Sequence, residues 1–247
     1  MRAGCAKLPA MTTLLLAFFL AAGTSPAPAT APAPPAPVPV ASTPANGDLD
    51  LRTVLDRMQK RYDQAKDFHA RFSQNYSRAV VGRATVSTGT ITFKKPGRMR
   101  WDYDKPEPRM FLSNGQVLWL YEPTEKQAFK QDLKSSQLPA ALAFLMGKGK
   151  ITDEFEVTFA KDGKQGRPGD FRLALSPKQP QSAYKSILFI VDPKEFLVRE
   201  SVLVDSQGNT NHFTFDGLEV NGKVADSVFK WTPPAGVRVV DTGQMSK

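Results

Sequence analysis

The sequence predicts a mainly β protein, in which a large antiparallel sheet curls into a barrel or half-barrel and two short helices close its open side. Three observations support this fold class. About eleven or twelve short segments alternate apolar and polar residues, turns rich in glycine, proline and asparagine separate them, and few segments have the spacing of an amphipathic helix. Two helices are too few to form a layer of their own, so we expect them to plug the open side of the curl.

The clearest strands lie in the stretch Gly89–Pro123, where large rings recur at alternate positions, Phe93 and Trp101 among them. A period of two is typical of strands with one apolar and one polar face. Pro96-Gly97 and Asn114-Gly115 mark tight turns, and the second is a strong hairpin signal. These features predict a curved sheet lined with large rings, which encloses either a packed core or a cavity for an apolar ligand.

The elements on either side of this stretch are predicted from the strand period of two and from the helical spacing of three and four residues. Asp50 is a suitable N-cap for a helix that begins at Leu51, with apolar residues three and four apart up to Ala65. A second apolar helix is predicted at Leu138–Met146, ended by Gly147. A strand begins at Phe68, and the later strands are predicted at Thr85–Phe93, Arg98–Asp104, Arg109–Ser113, Gln116–Glu122, Lys126–Gln131, Phe155–Phe159, Phe171–Leu175, Ile187–Val191, Leu197–Val204, Thr210–Phe215 and Gly236–Val240.

The N-terminal part of the chain divides at residues 23 and 47. Residues 1–23 have basic residues, a short apolar run and small residues, in the order typical of a secretory signal peptide. The run is shorter than the ~20 residues that span a bilayer, which favours a cleaved signal over a retained anchor. Residues 24–47 are rich in proline and alanine and predict a disordered linker, either a spacer or a dispensable leader. Residues 48–247 remain for one β domain.

Composition narrows the function classes. The chain carries a net charge of +9, which favours anionic partners such as membrane surfaces or acidic proteins. Its single cysteine, Cys5, precedes the apolar run, so we expect neither disulfides nor lipidation in the exported domain. His69 and His212 are the only histidines, and both are predicted on strand surfaces away from a catalytic partner. We therefore expect no enzymatic activity, no metal and no cofactor, and no nucleic-acid motif is present.

Five blocks of the sequence occur in the order found in one protein family. They are Phe68–Gln74 (FHARFSQ), Gly89–Tyr103 (GTITFKKPGRMRWDY), Ser113–Tyr121 (SNGQVLWLY), the segment that begins Leu138-Pro139, and Phe229–Val237 (FKWTPPAGV). Together these blocks resemble the LolA family, the periplasmic carriers of outer-membrane lipoproteins. The resemblance spans nearly all of residues 48–247.

The resemblance implies a more specific fold and function. The fold is an incomplete, half-open antiparallel β-barrel with a helical lid over an apolar cavity. The function is that of a periplasmic chaperone, which receives acylated lipoproteins from an ATP-binding-cassette releasing complex in the inner membrane. It shields their acyl chains and delivers them to an outer-membrane lipoprotein acceptor. The resemblance further implies a monomer that works without a cofactor.

The resemblance and the alternation together nominate site residues. The predicted lipid-binding residues are Phe68, Phe72, Phe93, Met99, Trp101, Trp119 and Leu142. We expect the rings to face the apolar stripes of both helices across a cavity. Lys95 stands where the family has an arginine, before Pro96, and is expected to contact the lid. A lysine is a mobile point charge rather than a planar fork, so a bidentate clamp is replaced by a simpler contact.

Two other readings of the same sequence stay open. The domain could be a lipid-sensing regulatory domain of the same fold, although such proteins usually have an additional domain for which 200 residues leave no room. It could also be a structural or adaptor protein whose rings fill a packed core, which is the usual role of alternating aromatic residues. Depletion of the protein followed by membrane fractionation would separate the carrier from the sensor.

Overall fold

The computed structural model describes residues 49–80, 82–132, 144, 149–161, 163–179 and 184–242. Helix α1 (Leu51–Gln64) precedes the sheet, the single turn α2 (Ile151–Glu154) lies in its middle, and a 3-10 helix (Asp226–Phe229) lies near the end. The strands are β1 (Asp67–Ser77), β2 (Ala84–Lys94), β3 (Arg98–Lys105), β4 (Arg109–Asn114), β5 (Val117–Glu122), β6 (Gln127–Asp132), β7 (Phe155–Phe159), β8 (Phe171–Pro177), β9 (Ser186–Val191), β10 (Val198–Val204), β11 (Thr210–Val220) and β12 (Arg238–Asp241).

All twelve strands belong to one sheet, in the order β12-β6-β5-β4-β3-β2-β1-β11-β10-β9-β8-β7. Every pair of neighbours is antiparallel except β12 and β6, which are parallel. Among the described residues, the end strands β12 and β7 each pair with one neighbour, so the sheet is open rather than closed into a barrel. The predicted fold class, a mainly β open sheet with few helices, is confirmed.

The predicted elements agree closely with the observed ones. Phe155–Phe159 is a strand with the predicted bounds, whereas β11 continues to Val220, beyond the predicted end at Phe215. The predicted signal peptide, linker and most of the second helix lie outside the described residues, apart from Phe144, which is buried. No helix in the described ranges has the length and apolar character needed to cross a membrane.

Helix α1 is fixed over the second half of the sheet. The Asp50 carboxylate accepts a hydrogen bond from the Thr53 backbone N–H at 2.8 Å, and such bonds hold the pKa of Asp50 below its usual range. At the other end, the Tyr62 hydroxyl accepts a hydrogen bond from the Val198 backbone N–H at 3.1 Å. The Tyr62 ring also lies 4.9 Å from that of Phe144. These contacts set the position of the helix above β10.

This position corrects one prediction. The apolar stripe of α1 was expected to face the rings around Phe93 and Trp101, but it packs on β7–β10 instead. Two features explain the difference: the hydrogen bond of the Tyr62 hydroxyl to Val198, and the many apolar side chains that β8, β9 and β10 present toward the helix. We call the apolar residues packed around α1 the helix cluster; its buried residues are Val54, Met58, Tyr62, Phe144, Ile151, Phe155, Phe171, Leu173, Leu175, Tyr184, Ile187, Phe189, Val191, Phe196, Leu197 and Val198.

A second apolar cluster lies on the first half of the sheet, and strands alone supply its members. We call it the ring cluster; its buried residues are Ala70, Phe72, Ile91, Phe93, Met99, Tyr103, Phe111, Leu118 and Phe213, with Phe68, Trp101, Leu120, Phe215 and Leu218 partly buried. Direct cross-strand neighbours share a face of a sheet. The pairings across β1, β11, β10, β9 and β8 therefore place both clusters on one face, which we call the inner face.

Gly89 is required where β2 passes beneath the Phe72 ring. A Cβ atom at this position would lie 2.0 Å from the Asp102 carbonyl oxygen and 2.9 Å from a Phe72 ring carbon. Gly89→Ala is therefore expected to destabilise the fold by about 1–3 kcal/mol, as overpacked positions do. Urea unfolding measures this change. Gly222→Ala is the matched control, because a Cβ there meets only ordinary contacts at 3.9 Å and 4.0 Å; equal stability of the two variants would contradict the packing described here.

Candidate functional site

The pairing register of β1, β2 and β3 determines which of their side chains lie next to one another on the inner face. Phe68 pairs with Phe93, and Phe93 pairs in turn with Met99. Two residues before Phe93 in β2, Ile91 pairs with Trp101. Because direct cross-strand neighbours lie on the same side of the sheet, these alternate residues form a continuous apolar surface.

Phe72 is at the centre of this surface. Its ring centroid lies 4.9 Å from that of Tyr103, 5.2 Å from Trp101 and 6.0 Å from Phe213. All three pairs are tilted or edge-to-face, the arrangements that aromatic quadrupoles favour. Burial raises the pKa of Tyr103 to about 12, so its hydroxyl stays neutral at physiological pH. The side chains of the ring cluster are therefore uncharged and rich in hydrocarbon, and the Arg109 guanidinium lies over one edge of the cluster, 4.2 Å from the centre of the Tyr103 ring.

Five of the predicted lipid-binding residues meet in this cluster. Phe72, Phe93 and Met99 are buried in it, and Phe68 and Trp101 are partly buried against it. Leu142 lies outside the described residues. The prediction named no residue of β4 or β11, yet Phe111 and Phe213 belong to the same surface; the alternation of apolar residues in those strands was the available signal.

Of the predicted lipid-binding residues that the structure describes, Trp119 alone lies on the wrong face. Its neighbours in β5, Leu118 and Leu120, belong to the ring cluster, so Trp119 points to the opposite, outer face. There its ring lies 5.3 Å from that of Trp231, which also contacts Tyr121 at 5.0 Å. Trp119 therefore packs beneath the C-terminal segment and cannot touch a ligand on the inner face.

The C-terminal segment crosses the outer face and is anchored by basic side chains. The Asp226 carboxylate lies 2.5 Å from the Lys94 ammonium and 2.7 Å from the Arg98 guanidinium. These two bonds lower the pKa of Asp226 to about 2. The Arg100 guanidinium donates a hydrogen bond to the Val228 carbonyl at 3.0 Å. This segment therefore braces β2 and β3 from the side opposite the ring cluster.

Lys95 joins the end of β2 to the end of α1. Its ammonium donates hydrogen bonds to the carbonyl oxygens of Tyr62, at 2.6 Å, and Asp63, at 3.1 Å. The last carbonyls of a helix have no partner within the helix and carry its negative dipole end, so a cation there is favourable. Lys95 also donates its backbone N–H to the Lys66 carbonyl at 2.8 Å. Lys95 therefore links the end of β2 to the junction between α1 and β1, to which Asn221 also bonds by accepting from the Lys66 backbone N–H at 2.7 Å.

The charge of Lys95 is partly removed from water by these contacts. Burial lowers the pKa of the Lys95 ammonium, while the nearby Asp63 carboxylate acts in the opposite direction. Lys95 lines a small surface cleft together with Phe68 and Phe93. The predicted partner of Lys95 was a helical lid after Leu138; the contact described here is with α1, and most of that lid segment lies outside the described residues.

The two histidines pair with neighbouring strand residues. His69 lies 2.9 Å from the Thr92 hydroxyl, and His212 lies 2.7 Å from the Glu200 carboxylate. In the part of the chain that the structure describes, no three histidine, cysteine or acidic residues form a group that could hold a metal ion.

Comparisons with known proteins concern the part of the chain that forms the inner face and its ring cluster. Residues 63–232 match the family model described as "Outer membrane lipoprotein carrier protein LolA". This match extends from the end of α1 to Thr232, and so covers every residue of the ring cluster as well as Lys95. The chain belongs to the LolA family.

Individual relatives agree with the family match. The outer-membrane lipoprotein carrier protein of Pseudomonas putida strain W619 is 30% identical over 189 residues, covering 75% of this chain and 85% of that one. The protein of the same name from Azotobacter vinelandii is 26% identical over 201 residues, covering 81% and 92%. An uncharacterized conserved protein from Thermus thermophilus, solved by crystallography, has a TM-score of 0.50 at 12% identity, covering 77% and 98%. That likeness concerns the fold alone.

Proposed function

We propose that this LolA-family protein carries acylated lipoproteins, with their acyl chains held against the ring cluster. The observation that carries the proposal is an inner face whose ring cluster comes from strands alone, in a chain whose relatives are named lipoprotein carriers. Other apolar side chains on the same face are already covered by α1. The ring cluster is the part of the face without such a cover among the described helices, and it is where hydrocarbon would bind.

The energetics of acyl chains give such a surface its purpose. Each methylene group exposed to water costs ~0.8 kcal/mol, so a single long chain costs on the order of 10 kcal/mol. A lipoprotein therefore does not cross water unaided at a useful rate. A protein that replaces water with hydrocarbon makes the transfer possible, and its own affinity must stay low enough to allow release to an acceptor.

Lys95 supplies a means of tuning that affinity. When its ammonium bonds the carbonyls of Tyr62 and Asp63, α1 is held against the end of β2 beside the Phe68 and Phe93 rings. We propose that this closed arrangement is favoured in the empty protein and that loading breaks it. A competent open state that is only a fraction of the population weakens apparent affinity. Cargo then passes onward more readily than it returns.

The remaining parts of the proposal place the protein in the periplasm, after cleavage of a signal peptide near residue 23 and beyond the linker at residues 24–47. Cargo would arrive from an ATP-binding-cassette complex in the inner membrane and leave to an outer-membrane acceptor. The carrier would act as a monomer without catalysis or a cofactor. The family membership and the basic N-terminal segment before an apolar run support this placement.

Depletion of the protein tests the function. We expect lipoproteins of the outer membrane to accumulate in the inner-membrane fraction when cells are depleted and their membranes are separated by density. Re-expression should restore the distribution. An unchanged distribution, together with an altered envelope-stress response, would contradict the carrier and favour a lipid-sensing role.

A further inference from the structure

Three polar side chains are buried on the inner face, next to the ring cluster. Gln74, Ser87 and Asn211 are only 5%, 4% and 6% exposed. Gln74 pairs directly with Ser87 on one side, and on the other side it pairs with Phe213, two residues from Asn211. We call these three residues the polar trio. They adjoin the aromatic and aliphatic side chains of the ring cluster.

The polar trio contains an unsatisfied acceptor. The Gln74 amide nitrogen donates to the Asn211 side-chain oxygen at 2.9 Å, but the Gln74 side-chain oxygen has no hydrogen-bond partner among the described residues. A buried amide oxygen without a donor is costly, because it has given up water and gained nothing in exchange. A ligand that brings an N–H or O–H donor would satisfy this oxygen.

The position of the trio suggests which part of a ligand reaches it. Gln74 is two residues from Phe72, at the centre of the ring cluster, and six residues along β1 from Phe68. At ~3.3 Å per residue, the trio lies about 20 Å from the Phe68 end, where Lys95 holds α1. Along β1, the inner face therefore runs from the apolar Phe68 end, near Lys95, to a polar group at the opposite end.

We propose that the polar trio binds the linkage of an amide-linked acyl chain, with the Gln74 side-chain oxygen accepting a hydrogen bond from the amide N–H. This inference rests on the proposed carrier function and names the chemical group that the inner face recognises. Hydrocarbon alone offers no donor, and an ester linkage offers only acceptors. A free amino group would enter as an ammonium, whose burial costs far more than that of a neutral amide. The N-acylated terminus of a lipoprotein matches the site.

The test uses two synthetic lipopeptides that differ only at one amide nitrogen. Both carry an N-palmitoyl, diacylglyceryl cysteine, but in the second the acyl amide is N-methylated and has no N–H. Each competes with a fluorescent fatty acid for the purified protein. We expect the N–H lipopeptide to bind the wild-type protein about ten-fold more tightly, the effect of one buried hydrogen bond. In Gln74→Met this difference should vanish, because the oxygen that accepts a hydrogen bond from the amide N–H is gone.

Control variants keep the result interpretable. Gln116→Met alters an exposed glutamine at the β4–β5 turn and should retain the ten-fold difference. The double variant Gln74→Met/Asn211→Leu removes both side-chain amides of the bonded pair, so that neither is left without its partner. It replaces the single variant in the test if Gln74→Met folds poorly. Equal affinity of the wild type for both lipopeptides, or a difference that persists without Gln74, would overturn the inference. Failure of the wild type to take up the fatty acid and both lipopeptides would instead overturn the carrier function.

Discussion

Trp101→Asp is expected to abolish lipid uptake while leaving a folded protein. The Trp101 ring lies 5.2 Å from Phe72, 5.4 Å from Phe213 and 6.2 Å from Phe93, at the middle of the ring cluster. A carboxylate there would face the acyl chains without a partner, and burying such a charge costs several kcal/mol. Affinity for a fluorescent fatty acid should fall at least about 100-fold. Because Trp101 is only partly buried, the cost to folding is smaller than the cost to binding.

Trp101→Phe is the matched variant, since it keeps an aromatic ring and removes only part of the contact area. It should bind the fatty acid within a few-fold of wild type. Circular dichroism and urea unfolding establish that both variants are folded before titration. If folded Trp101→Asp takes up the fatty acid as wild type does, the ring cluster is not the binding surface.

Lys95→Leu is expected to load cargo but release it poorly. The ammonium bonds two carbonyls at the end of α1, at 2.6 Å and 3.1 Å, and a charge-assisted contact of this kind is worth ~1.5–3 kcal/mol. Without this contact, the fraction of empty carrier in the open state would rise roughly ten-fold or more. The closed, empty protein would then no longer be favoured over the loaded one, and cargo would leave less readily. Lys95→Arg keeps a cation with more donors and should transfer at least as well as wild type.

The measurement is the rate at which lipoprotein passes from loaded carrier to purified acceptor. Lys161→Leu, at an exposed lysine outside the sheet, provides a control that changes the net charge equally. Transfer by Lys95→Leu at the wild-type rate would show that the lysine only caps α1 and does not favour release.

Much of the sheet could be predicted because its strands alternate strongly. β2 and β3 have one apolar and one polar face, and their register follows from the short turn between Lys94 and Arg98. The same alternation placed Phe93, Met99 and Trp101 together on the inner face. Local periodicity suffices where one side of a strand is buried and the other is wet.

For β5, the sequence pattern does not predict which residues face inward and which face outward. Leu118, Trp119, Leu120 and Tyr121 are all apolar or aromatic, so the pattern does not choose which pair faces inward. Both faces are covered, one within the ring cluster and the other by Trp231 from the C-terminal segment. That cover is more than a hundred residues away in the sequence, and no local signal announces it.

The position of α1 and the polar trio also depend on distant contacts. The stripe of α1 fits any apolar surface, and the Tyr62 bond to Val198, from the other half of the chain, selects β10. Gln74 ends the Phe68–Gln74 block of β1, but its burial and unmatched oxygen follow from pairing with β2 and β11. Sequence predicts such residues as strand positions, and only the assembled sheet gives them a role.

Site-specific photocross-linking tests most directly whether acyl chains lie on the inner face. A benzophenone amino acid is placed at position 101 or at position 119, which lie on opposite faces of the sheet, and the carrier is loaded with lipoprotein bearing radiolabelled palmitate. After removal of the cargo polypeptide by proteolysis, label should remain attached to the carrier with the probe at Trp101 and not at Trp119. Label at position 119 but not at position 101 would contradict the account, because the chains would then lie outside the ring cluster.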